Sequence, residues 1–378
     1  MPRGESSVTN KILIVPKGHF GDMLLTTPVF EALKRSSPDN HITVLAPPQT
    51  AGLARRDPFV DEVIVFDRRK EYPGLKGVRA FVGLLRSNGF NRSYAFHRSP
   101  RTSVMLRLAG IPERVGYGDA LLSFFSNRTV LKTERMHEVI RNLELVYEDL
   151  SPSMRTEVDT LKKQGPTPLS DLFSIRVPEF PESDISEAVK NYMSDSKPYF
   201  VLSPGSAWET KRWSPDGFRG VASDLVRRGA RVMLVGAPSD VAACEQVCQG
   251  LDLSPDTTTN LCGKTSLAEL IYLVGGAKAV VCNDSLALHL GSAKKVPTVA
   301  VFCATSPLFG FGPWKNRAIV VEKGELFCKP CRRHGSRRCP NGTNACINGV
   351  SSEMVLSALD DLLLGEASQR KVTGLRVV

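Results

Sequence analysis

Residues 280–293 read VVCNDSLALHLGSA, and this stretch gives the clearest indication of the architecture of the chain. A short apolar run ends at Asn283, and after Asp284 and Ser285 small and apolar residues follow at helical spacing. The pattern predicts a buried strand that leads into a helix whose N-terminus carries Asp284 and Ser285. Because a helix N-terminus presents free backbone N–H groups and the positive end of the helix dipole, such a junction suits a phosphate group.

A matching junction lies near the start of the sequence. The apolar run 12–15 leads through Gly18, Gly21 and Asp22 into an amphipathic helix. Two such junctions, one in each half of the chain, predict two α/β domains that face each other across a cleft. Ligands in open α/β sheets bind beyond the carboxyl ends of the strands, so Asp22 lies where a catalytic base or a binding carboxylate is expected. The alternative is that Asp22 caps the helix that follows it.

The composition indicates a soluble globular protein with an acidic partner. The 378 residues are enough for two domains, and 42% of them are hydrophobic and 23% charged. No apolar run approaches the ~18–20 residues of a membrane span, and the first one is too short for a secretory signal, so we predict a cytoplasmic protein. The net charge of +10 favours a nucleotide, a phosphorylated acceptor or the anionic inner face of a membrane as partner. The basic residues are scattered and lack interleaved aromatic residues, which argues against nucleic acid.

Short apolar runs alternate with amphipathic stretches in both halves, which predicts parallel sheets covered on both faces. The predicted strands are 12–15, 42–45, 63–66, 93–96, 199–202, 231–235, 279–282 and 296–302. The predicted helices are 23–35, 78–86, 102–108, 137–147, 185–193, 214–228, 239–249, 267–274 and 354–364. A proline-punctuated, acidic stretch separates the halves. We therefore expect a first domain over 1–175, a linker over 176–198, a second domain over 199–350 and a C-terminal helix and tail over 351–378.

The loop after the first strand of the second half is rich in small residues and cations. It carries Pro204, Gly205 and Ser206 and then Lys211, a candidate partner for a diphosphate. The alternative is that Lys211 is a surface cation beside two packed tryptophans. His289 follows Ser285 by one helical turn and is either a site residue or a core histidine.

Two nucleotide-binding motifs are absent from the sequence. Gly263-Lys264-Thr265-Ser266 is not a P-loop, because that motif needs glycine where Thr258 stands. No predicted strand is followed by G-x-G-x-x-G, which argues against a dinucleotide-dependent oxidoreductase.

Four of the nine cysteines form the pattern Cys328-x2-Cys331-x7-Cys339-x6-Cys346. Four thiolates at such separations can bind one tetrahedral zinc or iron ion, which with four protein ligands would be structural. Disulfides are disfavoured in a reducing cytosol, so the alternative is four free thiols in a basic loop.

Taken together, these motifs resemble bacterial glycosyltransferase family 9, the ADP-heptose:lipopolysaccharide heptosyltransferases, over about residues 11 to 365. The Cys pattern is similar to one in some members of the heptosyltransferase II branch. The residues that carry the resemblance are 21–28 (GDMLLTTP), 137–142 (HEVIRN), 204–206 (PGS) with 211–213 (KRW), 263–267 (GKTSL), and 283–285 (NDS) with His289.

The resemblance implies the GT-B fold, with two Rossmann-like α/β/α domains facing a central cleft and the C-terminal helix packing back on the first domain. It implies that the first domain binds the acceptor and the second the nucleotide sugar. The implied reaction is inverting transfer of heptose from ADP-heptose to a hydroxyl of the lipopolysaccharide inner core, without a catalytic metal, by a cytoplasmic enzyme peripheral to the inner membrane.

Residue roles follow from the resemblance and from the charge and position of each residue. Asp22 matches the family's base, and Lys211 matches its diphosphate-contacting lysine. These roles suit the chemistry, since inversion needs a carboxylate to take the acceptor proton and the ADP leaving group needs charge stabilisation. The expected donor-binding residues are Pro204, Gly205, Ser206, Lys211, Ala237, Asp240, Asp284, Ser285, Leu286 and His289. The expected acceptor-binding residues are Gly21, Arg98, Arg101, His137 and Arg141.

One departure from the family concerns the donor side. The family usually has glycine after the Asp-Ser pair, where the chain has Leu286, whose side chain restricts the approach of a phosphate to the backbone. Two alternatives therefore stay open: a nucleotide-sugar epimerase with the same fold, and a catalytically impaired nucleotide-sugar-binding protein.

Overall fold

The computed structural model describes residues 10–67, 70–133, 135–165, 171–193, 197–365 and 375–377. The chain forms two compact units, Met1–Pro178 and Glu179–Val378. Each unit contains one sheet with helices on both of its faces.

The first unit is built on a six-stranded parallel sheet with the order β3-β2-β1-β4-β5-β6. Its strands are β1 (Lys11–Val15), β2 (His41–Ala46), β3 (Glu62–Val65), β4 (Arg92–Ala95), β5 (Glu113–Tyr117) and β6 (Arg128–Val130). Its α-helices in the described residues are α1 (Phe20–Leu24), α2 (Thr27–Ser36), α3 (Pro48–Arg55), α4 (Gly74–Ser87), α5 (Pro100–Leu108), α6 (Glu138–Val146) and α7 (Pro152–Gln164).

The central strand β1 shows why the sheet is covered on both faces. Its side chains alternate between the faces, and Ile12, Leu13, Ile14 and Val15 are all buried. Leu13 and Val15 pack in one core with apolar residues of α4 and α5, such as Phe81. A fully apolar strand of this kind needs helices on both sides, as the sequence indicates.

One predicted helix is divided in two. The run 23–35 was expected to be continuous, but α1 ends at Leu24 and α2 starts at Thr27. Pro28, in the first turn of α2, has no N–H to donate, so it cannot continue the hydrogen bonding of a helix that starts before it. The break therefore follows from a proline that suits the first turn of a helix and not its interior.

The second unit has a seven-stranded sheet with the order β13-β12-β11-β10-β7-β8-β9, in which only β13 is antiparallel to its neighbour. Its strands are β7 (Tyr199–Ser203), β8 (Arg231–Leu234), β9 (Thr258–Asn260), β10 (Ala279–Asn283), β11 (Thr298–Val301), β12 (Ala318–Val321) and β13 (Leu375–Val377). Its α-helices in the described residues are α8 (Glu187–Met193), α9 (Pro215–Arg227), α10 (Val241–Cys248), α11 (Leu267–Gly276), α12 (Leu286–Ala293), α13 (Ala345–Asn348) and α14 (Ser352–Leu364).

The last described helix belongs to the second unit. We expected the helix within 351–378 to pack back on the first domain. Val355, Ala358, Leu359 and Leu362 of α14 lie in the core of the second unit, where α14 contacts α9, β11 and β12. The apolar face of the helix is therefore used within its own unit, and packing on the first domain stays a prediction.

The expected linker over 176–198 does not stand apart from the two units. Arg176 belongs to the first unit, where its backbone N–H donates to Thr27 Oγ1 at 2.9 Å. Further on, α8 contacts α11, and Ser186 Oγ donates to Glu269 Oε1 at 2.5 Å. Helix α7 was not predicted, because its first residue belongs to the proline-punctuated stretch. Pro152 follows the N-cap Ser151 at a position where helices accept proline.

The packing of Trp213 gives a test of the second core. A Cβ on Gly217 would lie 2.2 Å from Cζ2 of the fully buried Trp213, so Gly217→Ala should destabilise the protein by about 1–3 kcal/mol. Gly83→Ala, in α4, is the matched control, because its added Cβ meets nothing within 4 Å and helix propensity should stabilise it by about 0.5–1 kcal/mol. Urea unfolding of both variants checks this, and an unchanged midpoint for Gly217→Ala would contradict the packing.

Candidate functional site

Each sheet reverses its strand order at one point. The predicted site residues follow the strands at these points. Read as 3-2-1-4-5-6, the first sheet changes direction between β1 and β4, and the second sheet does so between β7 and β10. In open α/β sheets, ligands bind at the carboxyl ends of the strands at this switch point. Asp22 follows β1, and Asp284 follows β10 directly. Each unit therefore carries a candidate site of its own at this edge of its sheet.

In the first unit, Asp22 is the accessible carboxylate of a charge cluster. Lys17 Nζ lies 3.2 Å from Asp22 Oδ1 and also contacts the carboxylate of Glu138. Arg141 forms an ion pair with Glu138, and Lys132 Nζ lies 3.6 Å from Glu138 Oε1. The Glu138 and Arg141 side chains are 1% and 3% exposed, whereas that of Asp22 is 18% exposed. A ligand can therefore reach Asp22, while Glu138 is enclosed.

The cluster fixes the charge of two neighbouring side chains. Burial opposes the ionisation of Glu138, but Lys17, Arg141 and Lys132 outweigh it and lower the pKa of Glu138 to about 2. Burial, followed by the charge of Lys17, lowers the pKa of His97 to about 4. Near pH 7 Glu138 is therefore an anion and His97 a neutral imidazole.

Asp22 does not serve as the helix cap that the sequence left open. The N-cap of α1 is His19, and Asp22 lies within the first turn. Its carboxylate pairs with Lys17, and its backbone carbonyl accepts a hydrogen bond from Thr26 Oγ1 at 2.8 Å. The carboxylate is thus oriented by a cation at the carboxyl end of β1.

Two of the expected acceptor ligands have structural partners instead. Arg141 is buried against Glu138, and Nδ1 of His137 accepts from Val139 N at 3.3 Å, which makes His137 the N-cap of α6. Both side chains are used to hold the start of α6, where Glu138 lies. A part for either residue in acceptor binding stays a prediction.

The other expected acceptor residues lie nearer the surface. Gly21 is in the first turn of α1. Arg98 forms an ion pair with Asp119, and its side chain is 42% exposed. The guanidinium of Arg101 lies 5.9 Å from the centre of the Phe66 ring.

Sequence reasoning missed Lys17, Lys132 and Glu138. A signal for Glu138 was present, because it lies three residues before Arg141 within a helix predicted to be amphipathic, and such a pair can bury together. Nothing in the local pattern indicates Lys17, which meets Glu138 only through the tertiary fold.

In the second unit, Asp284 joins three loops. Lys211 Nζ lies 2.7 Å from Asp284 Oδ2, and Thr305 Oγ1 donates to the same oxygen at 2.8 Å. Ser206 Oγ donates to the backbone carbonyl of Asp284 at 3.0 Å. Lys211 is therefore not a solvated surface lysine. Its side chain is only 13% exposed and forms an ion pair with Asp284, just before the N-terminus of α12.

The start of α12 has the features expected of an anion site. Ser285 is its N-cap with extended backbone and makes no capping hydrogen bond. The Ser285 Oγ is buried and has no hydrogen-bond partner among the described residues. Leu286 begins the helix without a positive φ, so this position imposes no need for glycine. His289 is buried one turn further along the helix.

Asp240 is oriented by its own loop. Its Oδ2 accepts from Ala237 N at 3.0 Å, and its Oδ1 lies 3.2 Å from Arg212 Nη2. Burial raises the pKa of Asp240, against the lowering effects of the Ala237 N–H and Arg212. A Cβ on Gly205 would lie 2.3 Å from the Asp240 carboxyl, so glycine is required there. The Pro204 carbonyl accepts from Asn283 Nδ2 at 2.7 Å.

The cysteine-rich loop supports the Lys211 segment. Ser336 N donates to Thr210 Oγ1 at 2.8 Å, and Cys331 N donates to the Ala304 carbonyl at 2.9 Å. A Cβ on Gly335 would lie 3.2 Å from Lys211 Cγ. The loop therefore packs directly beside the Lys211 side chain.

Two thiols of this loop have shifted pKa values. Burial raises the pKa of Cys331, and the thiols of Cys328 and Cys339 add to the shift. Burial likewise raises the pKa of Cys346, with Cys331 as a neighbour. Across the described ranges, no three His, Cys, Asp or Glu side chains are placed to hold a metal ion. The metal site expected at Cys328, Cys331, Cys339 and Cys346 stays a prediction of the sequence.

Known proteins share this architecture. The solved structure of Escherichia coli ADP-heptose LPS heptosyltransferase II has a TM-score of 0.71 at 25% identity, with 95% of this chain and 100% of that chain covered. A family 9 glycosyl transferase from Veillonella parvula has a TM-score of 0.75 at 22% identity, with 94% and 98% covered. Lipopolysaccharide heptosyltransferase 2 of E. coli K12 is 27% identical over 366 residues, 94% of this chain and 99% of the relative.

The two Rossmann-like α/β/α domains and these likenesses define the GT-B fold of glycosyltransferases. The family model of glycosyltransferase family 9 (heptosyltransferase) matches residues 78–340. The chain belongs to that family, and its resemblance to it in sequence is confirmed.

The buried Glu138 gives a test by acid unfolding. Its folded-state pKa of about 2 lies below the ordinary 4.5, so its stabilisation is complete above pH 4.5 and is lost as pH falls towards 2. Glu138→Gln should lower stability at pH 7 by about 3–5 kcal/mol, because it leaves buried cations unpaired, and should flatten the pH dependence below 4.5. Melting temperatures from pH 7 to about pH 3 measure both effects.

The matched control for this substitution is Glu157→Gln on the exposed side of α7. It should melt close to the wild type at every pH. Equal losses in the two variants would show that Glu138 has no special role.

Proposed function

We propose that this chain transfers a heptose from ADP-heptose to a hydroxyl of the lipopolysaccharide inner core, with inversion at the anomeric carbon. The donor is suggested by the similar E. coli protein, an ADP-heptose LPS heptosyltransferase. The acceptor is suggested by the relatives that are lipopolysaccharide heptosyltransferases. The observation that carries the proposal is the buried Ser285 hydroxyl at the N-terminus of α12. It has no hydrogen-bond partner among the described residues, and it follows Asp284, the ion-pair partner of Lys211.

The donor diphosphate is proposed to bind at the N-terminus of α12. The backbone N–H groups of its first turn, the Ser285 hydroxyl and the Lys211 ammonium provide donors and positive charge for phosphate oxygens. Leu286 does not oppose this, because helical backbone at that position leaves the first-turn N–H groups directed along the helix axis. The loop at Ala237 and Asp240, at the carboxyl end of β8, is proposed to hold the nucleoside.

Asp22 is proposed to be the catalytic base. It accepts the proton of the acceptor hydroxyl as that oxygen attacks the anomeric carbon, and the bond from that carbon to the diphosphate oxygen breaks. ADP leaves with the bonding electron pair, and Lys211 stabilises the charge that develops on it. A single displacement of this kind inverts the configuration of the carbon.

No metal ion takes part in the proposed chemistry, because Lys211 and the α12 N-terminus supply the positive charge. A structural zinc or iron ion at the four cysteines stays a prediction of the sequence, and metal analysis of protein purified without chelators tests it. Transfer in the presence of EDTA tests the metal-free step.

The proposed place of action is the cytoplasmic face of the inner membrane, where a peripheral enzyme would meet its acceptor. The net charge of +10 supports attraction to an anionic surface. Within the part of the chain that the structure describes, no helix has the length and apolar character to cross a bilayer.

Removal of the base should reduce turnover more than donor binding. Asp22→Asn keeps the shape but cannot accept the proton, so kcat should fall by about 10²–10⁴-fold while the Kd for ADP stays unchanged. Asp39→Asn, on the exposed turn before β2, is the control and should keep full activity. Wild-type turnover in Asp22→Asn would exclude the assigned base.

Removal of the lysine should affect the donor side. Lys211→Met should lower kcat by about 10²–10³-fold and weaken ADP binding, as loss of a cation from a leaving-group site does. Lys294→Met, at the other end of α12, tests whether any lysine near this helix has the same effect and should be silent. Calorimetry with ADP and a transfer assay measure the two parameters.

Product analysis separates the alternatives. Incubation with the donor alone should leave the sugar unchanged, whereas an epimerase would convert it. NMR of the product should show the anomeric configuration opposite to that of the donor. ADP binding without transfer to any lipopolysaccharide acceptor would favour an impaired binding protein.

A further inference from the structure

The connection between β5 and β6 exposes large apolar side chains. Leu121 and Phe124 in this connection, and Leu131 just after β6, are 80%, 71% and 80% exposed. Single exposed leucines are common on protein surfaces, but three large apolar side chains at one place call for an explanation. We name these three residues the apolar tip.

The residues of the apolar tip belong to one short connection whose two ends are held together. Gly118 N donates to the Val130 carbonyl at 3.0 Å, which ties the start of the connection to the end of β6. A Cβ on Gly118 would lie 3.6 Å from Leu131 Cδ2, so Leu131 lies over the start of the connection. The ring of Phe124 packs against that of Phe125 with centroids 4.5 Å apart.

Hydrogen bonds hold the connection in shape. Arg114 Nε donates to the Phe125 carbonyl at 2.7 Å, and Arg114 N donates to Asn127 Oδ1 at 2.7 Å. Ser123 N donates to the Ala120 carbonyl at 3.0 Å. The backbone is therefore fixed while the apolar side chains extend into solvent, although their burial would be favourable.

Basic side chains flank the apolar tip. Arg98 pairs with Asp119 inside the connection and is 42% exposed. Burial, followed by the charge of Arg107, lowers the pKa of Arg114. Arg107 is itself exposed near the end of α5, a helix that contacts the connection. Two like charges brought together beside exposed apolar groups suit an anionic partner.

We propose that the apolar tip and its arginines dock this unit onto an anionic lipid bilayer. Leucine and phenylalanine side chains enter the boundary between head groups and acyl chains, and the arginines contact lipid phosphates. A second copy of the chain fits less well, because arginines would face arginines across the contact. This inference rests on the proposed function in one respect, since a lipid-bound acceptor makes a membrane the natural partner of the unit that carries Asp22.

Sedimentation of the full chain with vesicles tests the proposal without donor or acceptor. The wild type should bind vesicles of phosphatidylglycerol and phosphatidylethanolamine, should bind phosphatidylcholine vesicles much more weakly, and should dissociate as salt rises. Leu121→Ser combined with Phe124→Ser should weaken binding by about tenfold or more, and Arg107→Gln by about fivefold.

The control is Phe327→Ser, because Phe327 is a phenylalanine of the second unit that is 97% exposed. It should bind like the wild type. Circular dichroism and melting temperature show that each variant is folded. The double variant should also keep transfer to a water-soluble acceptor, which separates membrane docking from catalysis.

Three results would overturn the docking surface: no wild-type binding to anionic vesicles, full binding by the double variant, or an equal loss in Phe327→Ser. Concentration-dependent self-association that the double variant abolishes, with vesicle binding unchanged, would assign the apolar tip to a contact between copies instead. A wild type that binds vesicles but transfers no sugar would refute the proposed function and leave the docking surface standing.

Discussion

The ion pair between Lys211 and Asp284 is the contact on which the order of the second unit's site depends. Asp284 Oδ2 accepts from Lys211 and Thr305, and its carbonyl accepts from Ser206, so the loops after β7, β10 and β11 meet at one residue. Taking a lysine and an aspartate out of water is unfavourable unless both are paired and hydrogen-bonded. The pairing therefore fixes the cation beside the helix N-terminus before any ligand arrives, and a bound phosphate would meet a preorganised group.

In the first unit, the corresponding position at the carboxyl end of the sheet holds one buried carboxylate surrounded by three cations. Glu138 is enclosed by Lys17, Lys132 and Arg141, and this excess of cations keeps it ionised despite burial. Lys17 shares its charge between Glu138 and the more accessible Asp22, so Asp22 is oriented without being enclosed. Burial, and then the charge of Lys17, lowers the pKa of His97 and keeps its imidazole neutral. Glu138 is thus buried among the cations, while the Asp22 carboxylate stays accessible to a ligand.

The fold was largely predictable, because the strand-to-helix junctions and the apolar runs are local signals. The runs 12–15 and 279–282 became β1 and β10, and the start of α12 was found from Asp284 and Ser285. The strands β5, β6, β9, β12 and β13 were missed. For β6 and β9 the reason is their length, since three residues carry too little periodicity to be recognised.

The site was predictable only in part. Asp22, Lys211 and Ser285 could be named from their position after strands, whereas Lys17 and Glu138 meet across a long stretch of chain that no local pattern encodes. Arg141 was expected to face an acceptor from its charge and position. Its pairing in the interior with Glu138, three residues earlier in the chain, was not predicted. The cysteine spacing suggested a metal, while the structure shows the contribution of the loop in its backbone contacts with Thr210 and Ala304.

These contacts give the cysteine-rich loop a role that does not depend on a bound ion. Thr210 exchanges hydrogen bonds with Ser336 on one side, and its carbonyl accepts from Ala304 N on the other. Lys211 is the next residue, and Gly335 lies against its side chain. The lysine is therefore held from two directions, by the loop through the backbone and by Asp284 through its charge. A change in the conformation of the loop would be transmitted to Lys211 first, since no other residue separates them.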